Sequence, residues 1–133
     1  MTEDVLLKTL VFPLAGKRWA VSLSSVREII RRPELHPVPN PREHCAGLIM
    51  HEGRALAALV LEGSIESEYP YGIIVADRNG AVLLLAEEAG ELASLETGEL
   101  EKGGRRVVRG SLHDPVGPVQ LVDHRRLIRE GLE

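Results

Sequence analysis

The segment from Pro37 to Leu61 constrains the fold more than any other part of the chain. Pro37, Pro39 and Pro41 each fix φ and remove a backbone donor, so this stretch has to run extended and outside any hydrogen-bonded ladder. It feeds into Gly47-Leu48-Ile49-Met50, and a second apolar run, Leu56 to Leu61, follows across Glu52-Gly53. Two apolar runs separated by a short glycine-containing turn predict a β-hairpin, with strands over roughly 46–52 and 54–61. A hairpin entered through a rigid strap is a scaffold element. It contains no obvious catalytic group.

The same grammar recurs on both sides. Leu6, Leu10, Phe12 and Leu14 share one side of an extended segment, and Trp19, Val21 and Leu23 alternate after Gly16-Lys17, which predicts a first hairpin. Ser25-Val26-Arg27-Glu28 has capping-box spacing, the serine placed to satisfy the Glu28 amide. Val26, Ile29 and Ile30 then line one face of a short helix that Pro33 ends. After a short polar connection, Glu62 to Pro70, the runs Gly72 to Asp77 and Ala81 to Glu87 flank Arg78-Asn79-Gly80, the strongest short-range hairpin signal in the chain. Leu92 to Gly104 is acidic and glycine-spaced and reads as an irregular arm. Arg106 to Leu112 and Val116 to Val122 predict a further pair of strands around His113-Asp114-Pro115. A terminal helix over roughly 124–130 buries Leu127 and Ile128.

Roughly eight to ten short strands joined by hairpins favour a mainly β fold of antiparallel barrels or a sandwich over a parallel α/β sheet. At 133 residues and 44% hydrophobic content the chain is long and apolar enough for one domain, or two small lobes sharing a core. No internal repeat is visible in the sequence. The formal net charge of −4 provides no global field for nucleic acid or anionic lipid. The four aromatic residues, Phe12, Trp19, Tyr69 and Tyr71, offer little stacking surface for single strands. One cysteine, Cys45, an acidic Met1–Asp4 and apolar runs as short as Val82 to Ala86 predict a reduced, cytoplasmic protein without a membrane span.

Catalytic patterns are missing where they are sought. His51-Glu52 begins like a zinc-protease motif, but the second histidine, due one helical turn on, is replaced by Ala55, and the segment reads as a hairpin. His44 and Cys45 are adjacent, so their side chains diverge along an extended chain, and His36, His113 and His124 have no partner in the pattern. Gly103-Gly104 lacks the lysine and hydroxyl residue of a phosphate loop. No metal, cofactor or enzymatic activity is expected. Arg31-Arg32, Arg105-Arg106 with Arg109, and Arg125-Arg126 with Arg129 are interleaved with glutamates and read as solvated surface.

The order of these features resembles the CheW-like domain family, the coupling adaptors of bacterial chemosensory arrays, across nearly the whole chain. Phe12-Pro13-Leu14 with Trp19-Ala20-Val21 is similar to the family's opening hairpin, and Val26-Arg27-Glu28-Ile29 to its valine-x-glutamate-isoleucine segment. Pro37-Val38-Pro39-Asn40-Pro41 is similar to its proline strap, and Gly47-Leu48-Ile49 with Gly53 to its glycine-bounded strand. Gly72-Ile73-Ile74-Val75, Arg109-Gly110 and Leu121-Val122-Asp123 with Leu127 fall at comparable places.

The resemblance implies two small five-stranded, SH3-like β-barrels around a shared apolar core. The whole of 1–133 then forms one domain, with a second lobe over roughly 46–110 and a first lobe built from both chain ends. It also implies a non-catalytic adaptor that joins chemoreceptor cytoplasmic tips to the regulatory domain of a CheA-type histidine kinase. Carried over by position, the partner-binding residues are Val26, Glu28, Ile29, Glu52, Gly53 and Arg54.

This chain departs from the family where asparagine, an apolar residue and arginine are usual: it has Met50, His51 and Glu52. Arginine to glutamate reverses a charge tied to receptor coupling, and a partner carboxylate there is repelled. Ala57 and Val60 stand where proline and aspartate are usual, and the 62–70 connection is shorter. An alternative reading keeps the barrels but directs them to another protein, a small ligand or nucleic acid.

Overall fold

Short β-rich runs separated by tight turns can bury their apolar faces only by pairing into small curled sheets, and the computed structural model, which describes residues 6–40, 42–97, 100–102 and 106–132, contains two of them. The strands are β1 (Leu6–Leu14), β2 (Lys17–Ser22), β3 (Val26–Arg31), β4 (Cys45–His51), β5 (Arg54–Leu59), β6 (Tyr71–Asp77), β7 (Gly80–Ala86), β8 (Glu91–Glu96), β9 (Glu101–Lys102), β10 (Val108–Asp114) and β11 (Gly117–Val122). A single α-helix, α1 (His124–Leu132), follows.

The first sheet has the order β8-β1-β2-β11-β10-β9 and the second β3-β6-β7-β5-β4. The first is thus six-stranded, the two-residue β9 being the addition to five. Every expected hairpin forms: β1 with β2, β4 with β5, β6 with β7 and β10 with β11, all antiparallel. Within each sheet two hairpins join through a short parallel contact, β11 beside β2 and β5 beside β7.

Each lobe has an interior of its own. Ile49, Leu56, Ala58, Val60, Ile74, Leu83 and Leu85 fill the second, and Val11, Ala20, Leu95, Leu112, Val119 and Leu121 the first. The largest cluster lies between them and draws Phe12, Trp19 and Val21 from one sheet, Ile73, Val75 and Leu84 from the other, and Leu127 and Ile128 from α1. Alternation produces this arrangement: along β6, Ile73 and Val75 face the shared core while Ile74 faces the second lobe.

Three expectations are corrected. The predicted helix at Val26 to Ile30 is the strand β3, paired with β6, and only a 3-10 turn at Leu23–Ser25 precedes it. Ser25 caps no helix; its hydroxyl donates to the Ser22 carbonyl at 2.7 Å. The exposed backbone of β6 offers a ladder to Val26, Ile29 and Ile30, and β-branched residues take it readily, whereas so short a helix has little stability of its own. The predicted irregular arm contains β8, which pairs with β1 over Leu6 to Val11 and buries Leu95, and then β9. Gly98, Glu99, Gly103 and Gly104 of that arm lie outside the described residues, as does Arg105 after it. Finally, the second sheet spans Val26 to Ala86 rather than 46–110, because β3 pairs with it while β8, β9 and β10 pair into the first.

The proline strap enters through one backbone bridge. His36 exchanges both hydrogen bonds with Leu48, at 2.7 and 2.8 Å, and residues 37–40 belong to no strand. The helix α1 covers Leu127 and Ile128 as expected. Arg106 fastens it: its guanidinium pairs with the Glu130 carboxylate and donates to the carbonyls of Val60 and Leu61, at 3.3 and 3.1 Å.

Candidate functional site

The second sheet ends in two edge strands, β3 and β4, and its curl brings them within side-chain reach of each other. A bulge sets the facing of β3: Val26 pairs with Val75 and Glu28 with Ile74, leaving Arg27 extra. Val26 consequently packs against the shared core, Glu28 and Ile30 face the interior of the second lobe, and Ile29 faces away from it. On β4, His51 follows Ile49 on the inward face and Met50 points outward.

The two inward-facing polar side chains meet at the rim. His51 Nε2 stands 3.1 Å from Glu28 Oε2 and 3.8 Å from Glu52 Oε1. One imidazole thus sits against carboxylates from two segments far apart in sequence. Beside this polar link, Ile29 and Met50 are exposed apolar side chains, at 39% and 61%.

The turn that follows is a two-residue hairpin loop with Glu52 at φ 49° and Gly53 at φ 78°, positive at both positions as a type I′ turn requires. His51 and Arg54 face each other across it. Glu52 stands almost fully in solvent, and Arg54 is exposed. Of the six residues carried over from the resemblance, Glu28, Ile29, Glu52, Gly53 and Arg54 therefore lie on one rim or on strands meeting at it, while Val26 is half-buried behind. His51, which joins the two halves of the rim, is absent from that set, because nothing local in the sequence ties it to Glu28.

The other candidates separate. Cys45 is half-buried against the shared core, its thiol directed at the Gly47 carbonyl, 3.5 Å away. The His44 imidazole lies 3.5 Å from the Glu43 carboxylate. Among the described residues no three histidine, cysteine or acidic side chains converge as metal ligands. No helix among the described residues is long and apolar enough to cross a membrane. The arginine groups scatter: Arg106 is consumed by α1, Arg32 lines a cavity with Pro33 and Ile65, and Arg125 and Arg129 line another groove.

Across the first lobe, Asp114 anchors the β10–β11 turn. Its carboxylate accepts the Val116 and Gly117 amides at 2.9 and 3.1 Å and takes a two-point contact from Arg18 at 2.7 and 2.6 Å. The Arg18 guanidinium is the main reason that this carboxyl is held well below the usual carboxylate range, with the two amides adding to it. These contacts fix the β10–β11 turn and tie it to β2 through Arg18.

Two curled sheets around a shared core, with a glycine turn and a charged rim at one edge, define a CheW-like domain. A family model of that domain matches residues 8–131, and the chain belongs to the CheW-like domain family. Among solved structures it is similar to the scaffolding protein TtCheW from Thermoanaerobacter tengcongensis, with 17% sequence identity, 89% of each chain covered and a TM-score of 0.76. No curated protein sequence matches. At this identity the structural likeness bears on the fold, which has the two lobes and shared core expected from the sequence.

Proposed function

We propose that this chain is a non-enzymatic adaptor of bacterial chemosensory or type IV pilus signalling, coupling receptor tips to the regulatory domain of a CheA-type histidine kinase. One observation carries the reading: the Glu28–His51 contact assembles β3 and the Glu52-Gly53 turn into a single rim. That rim combines exposed apolar anchors, Ile29 and Met50, with charged neighbours, the composition that protein interfaces favour. Membership of the family supports the adaptor role, and the description of TtCheW as a scaffolding protein agrees with it. Val26, Glu28, Ile29, Glu52, Gly53 and Arg54 are the proposed contact residues, with His51 holding Glu28 and Glu52 in place.

Titration calorimetry against a CheA-type regulatory domain tests this. Ile29→Asp puts a charge on an outward-facing edge position, so the melting temperature stays at the wild-type value while affinity falls by about tenfold or more. Unchanged affinity removes this surface from the interface. In the same instrument Glu52→Arg strengthens binding to a chemoreceptor tip that presents a carboxylate, since it replaces repulsion by attraction at a solvent-facing turn. Without such a gain, the rim belongs to a different protein partner.

A further inference from the structure

We infer that a groove between the first turn of α1, the start of β3 and the β6–β7 turn is a second docking surface, fitted to an acidic segment of a protein partner. The groove measures about 500 Å³, and its lining sets Arg27, Arg78, His124, Arg125 and Arg129 against a single acidic residue, Asp77. All four arginines are exposed. The ion pairs that involve arginine among the described residues occupy Arg18, Arg106 and Arg126, and none takes these four. The carboxylates nearby are already engaged. Asp77 accepts the Asn79 and Gly80 amides at 2.7 and 3.3 Å, and Asp123 accepts the Arg126 amide and pairs with its guanidinium.

Placement makes this charge informative. His124, Arg125 and Arg126 open α1, and no acidic residue lies in that first turn. Cations there oppose the helix macrodipole, which favours basic residues at the other end. Arg27 and Arg78 then bring further positive charge to the same groove from two other elements; Arg129 suits the last turn of α1 and Arg27 donates to the Ser24 carbonyl at 2.8 Å, so the charge that helix stability and local pairing leave unexplained is that of Arg78 and Arg125. Local choices that work against the fold mark positions kept for another purpose. An anion seated in the groove reverses the penalty, and carboxylates match guanidinium forks in pairs.

The protein surroundings select the class of anion. The chain as a whole carries −4, so an extended polyanion such as nucleic acid or an anionic membrane is repelled beyond the groove, and no aromatic side chain lines it for base stacking. A short run of glutamate or aspartate meets only the local field. This surface adjoins the β3–β4 rim at Arg27, but Arg78 and Arg125 lie on other elements, the β6–β7 turn and α1, so variants there test the groove separately from the rim.

The test uses the full chain and a fluorescein-labelled deca-glutamate peptide, read by anisotropy. The peptide binds at about 50 mM salt and is released at about 300 mM, as screened contacts require. The double variant Arg78→Glu/Arg125→Glu lowers affinity by at least about tenfold, whereas Lys8→Glu/Arg32→Glu, an equal change of net charge elsewhere, lowers it by less than about twofold. Because the substituted residues are exposed, both variants keep the wild-type circular dichroism spectrum. Equal losses in the two variants would overturn the assignment, since only net charge would then matter. Tighter binding of an oligothymidylate of the same length, or of phosphatidylserine vesicles, would overturn it as well.

Discussion

Gly47 sits where two backbones cross. A Cβ at this position meets the His36 carbonyl oxygen at 2.7 Å, and φ is +152°, a conformation that L residues avoid. The crossing is the bridge through which the proline strap docks, so space and dihedral both demand glycine there. Gly53 is a gentler case: φ is +78°, and a Cβ there has nothing within 4 Å. We expect Gly47→Ala to cost about 2–4 kcal/mol, from strain plus a backbone clash, and Gly53→Ala about 1 kcal/mol from the dihedral alone. Urea unfolding of the two variants measures the difference, and equal costs would show that the strap yields freely. Both glycines were readable in the sequence as breaks in apolar runs, because turn chemistry is local. The Glu28–His51 contact was not, because it exists only after β3 and β4 have become facing edges.

At the scale of elements, hairpins were legible and lone strands were not. Each hairpin has its own turn signal and alternation, as at Arg78-Asn79-Gly80. By contrast β3 and β8 each lie at the outside of a sheet and owe their conformation to the neighbour they pair with, β6 and β1. A six-residue segment with apolar residues at 26, 29 and 30 satisfies helical spacing equally well, and only the ladder decides. The β10–β11 hairpin shows how an ion pair can secure an element, and its pH dependence follows from Asp114. The folded carboxyl titrates well below its unfolded value of about 3.9, so its stabilising contribution is complete above about pH 5 and is lost as the pH falls through the acid range toward the folded value. Asp114→Asn is therefore less stable than wild type at neutral pH, and its urea midpoint falls less between about pH 5 and pH 2. Parallel curves for the two proteins would deny Asp114 this role.

Across the whole molecule the two lobes are built on one plan. In the second sheet an outer strand, β3, pairs with the β6–β7 hairpin, which joins the β5–β4 hairpin through a parallel contact; in the first, β8, β1–β2 and β11–β10 repeat that order. The bulge before Gly47 in β4 has its counterpart before Gly110 in β10, and the His36 bridge stands to β4 as β9 stands to β10. In chain order the first lobe is a permuted version of the second. No repeat was visible in the sequence, because hairpin geometry tolerates many apolar sequences and permutation separates the matching strands. The lobes share their largest core, which contains the single tryptophan, Trp19, at 4% exposure with its indole N–H donated to the Leu14 carbonyl at 3.0 Å. Unfolding is expected to be one cooperative transition, with Trp19 fluorescence and far-ultraviolet circular dichroism tracing the same urea curve. Separate midpoints would mean that each lobe holds together without the interface. The sequence by itself determined the hairpins, the glycine turn, the terminal helix and the family, since these rest on short-range alternation, turn residues and motif order. Only the tertiary structure decided that β3 is a strand, that β8 joins the first lobe, and that His51 links Glu28 to the turn of the hairpin that follows the proline strap. Those outcomes depend on which edges and side chains meet once the sheets curl, and neither propensity nor spacing along the chain encodes that meeting.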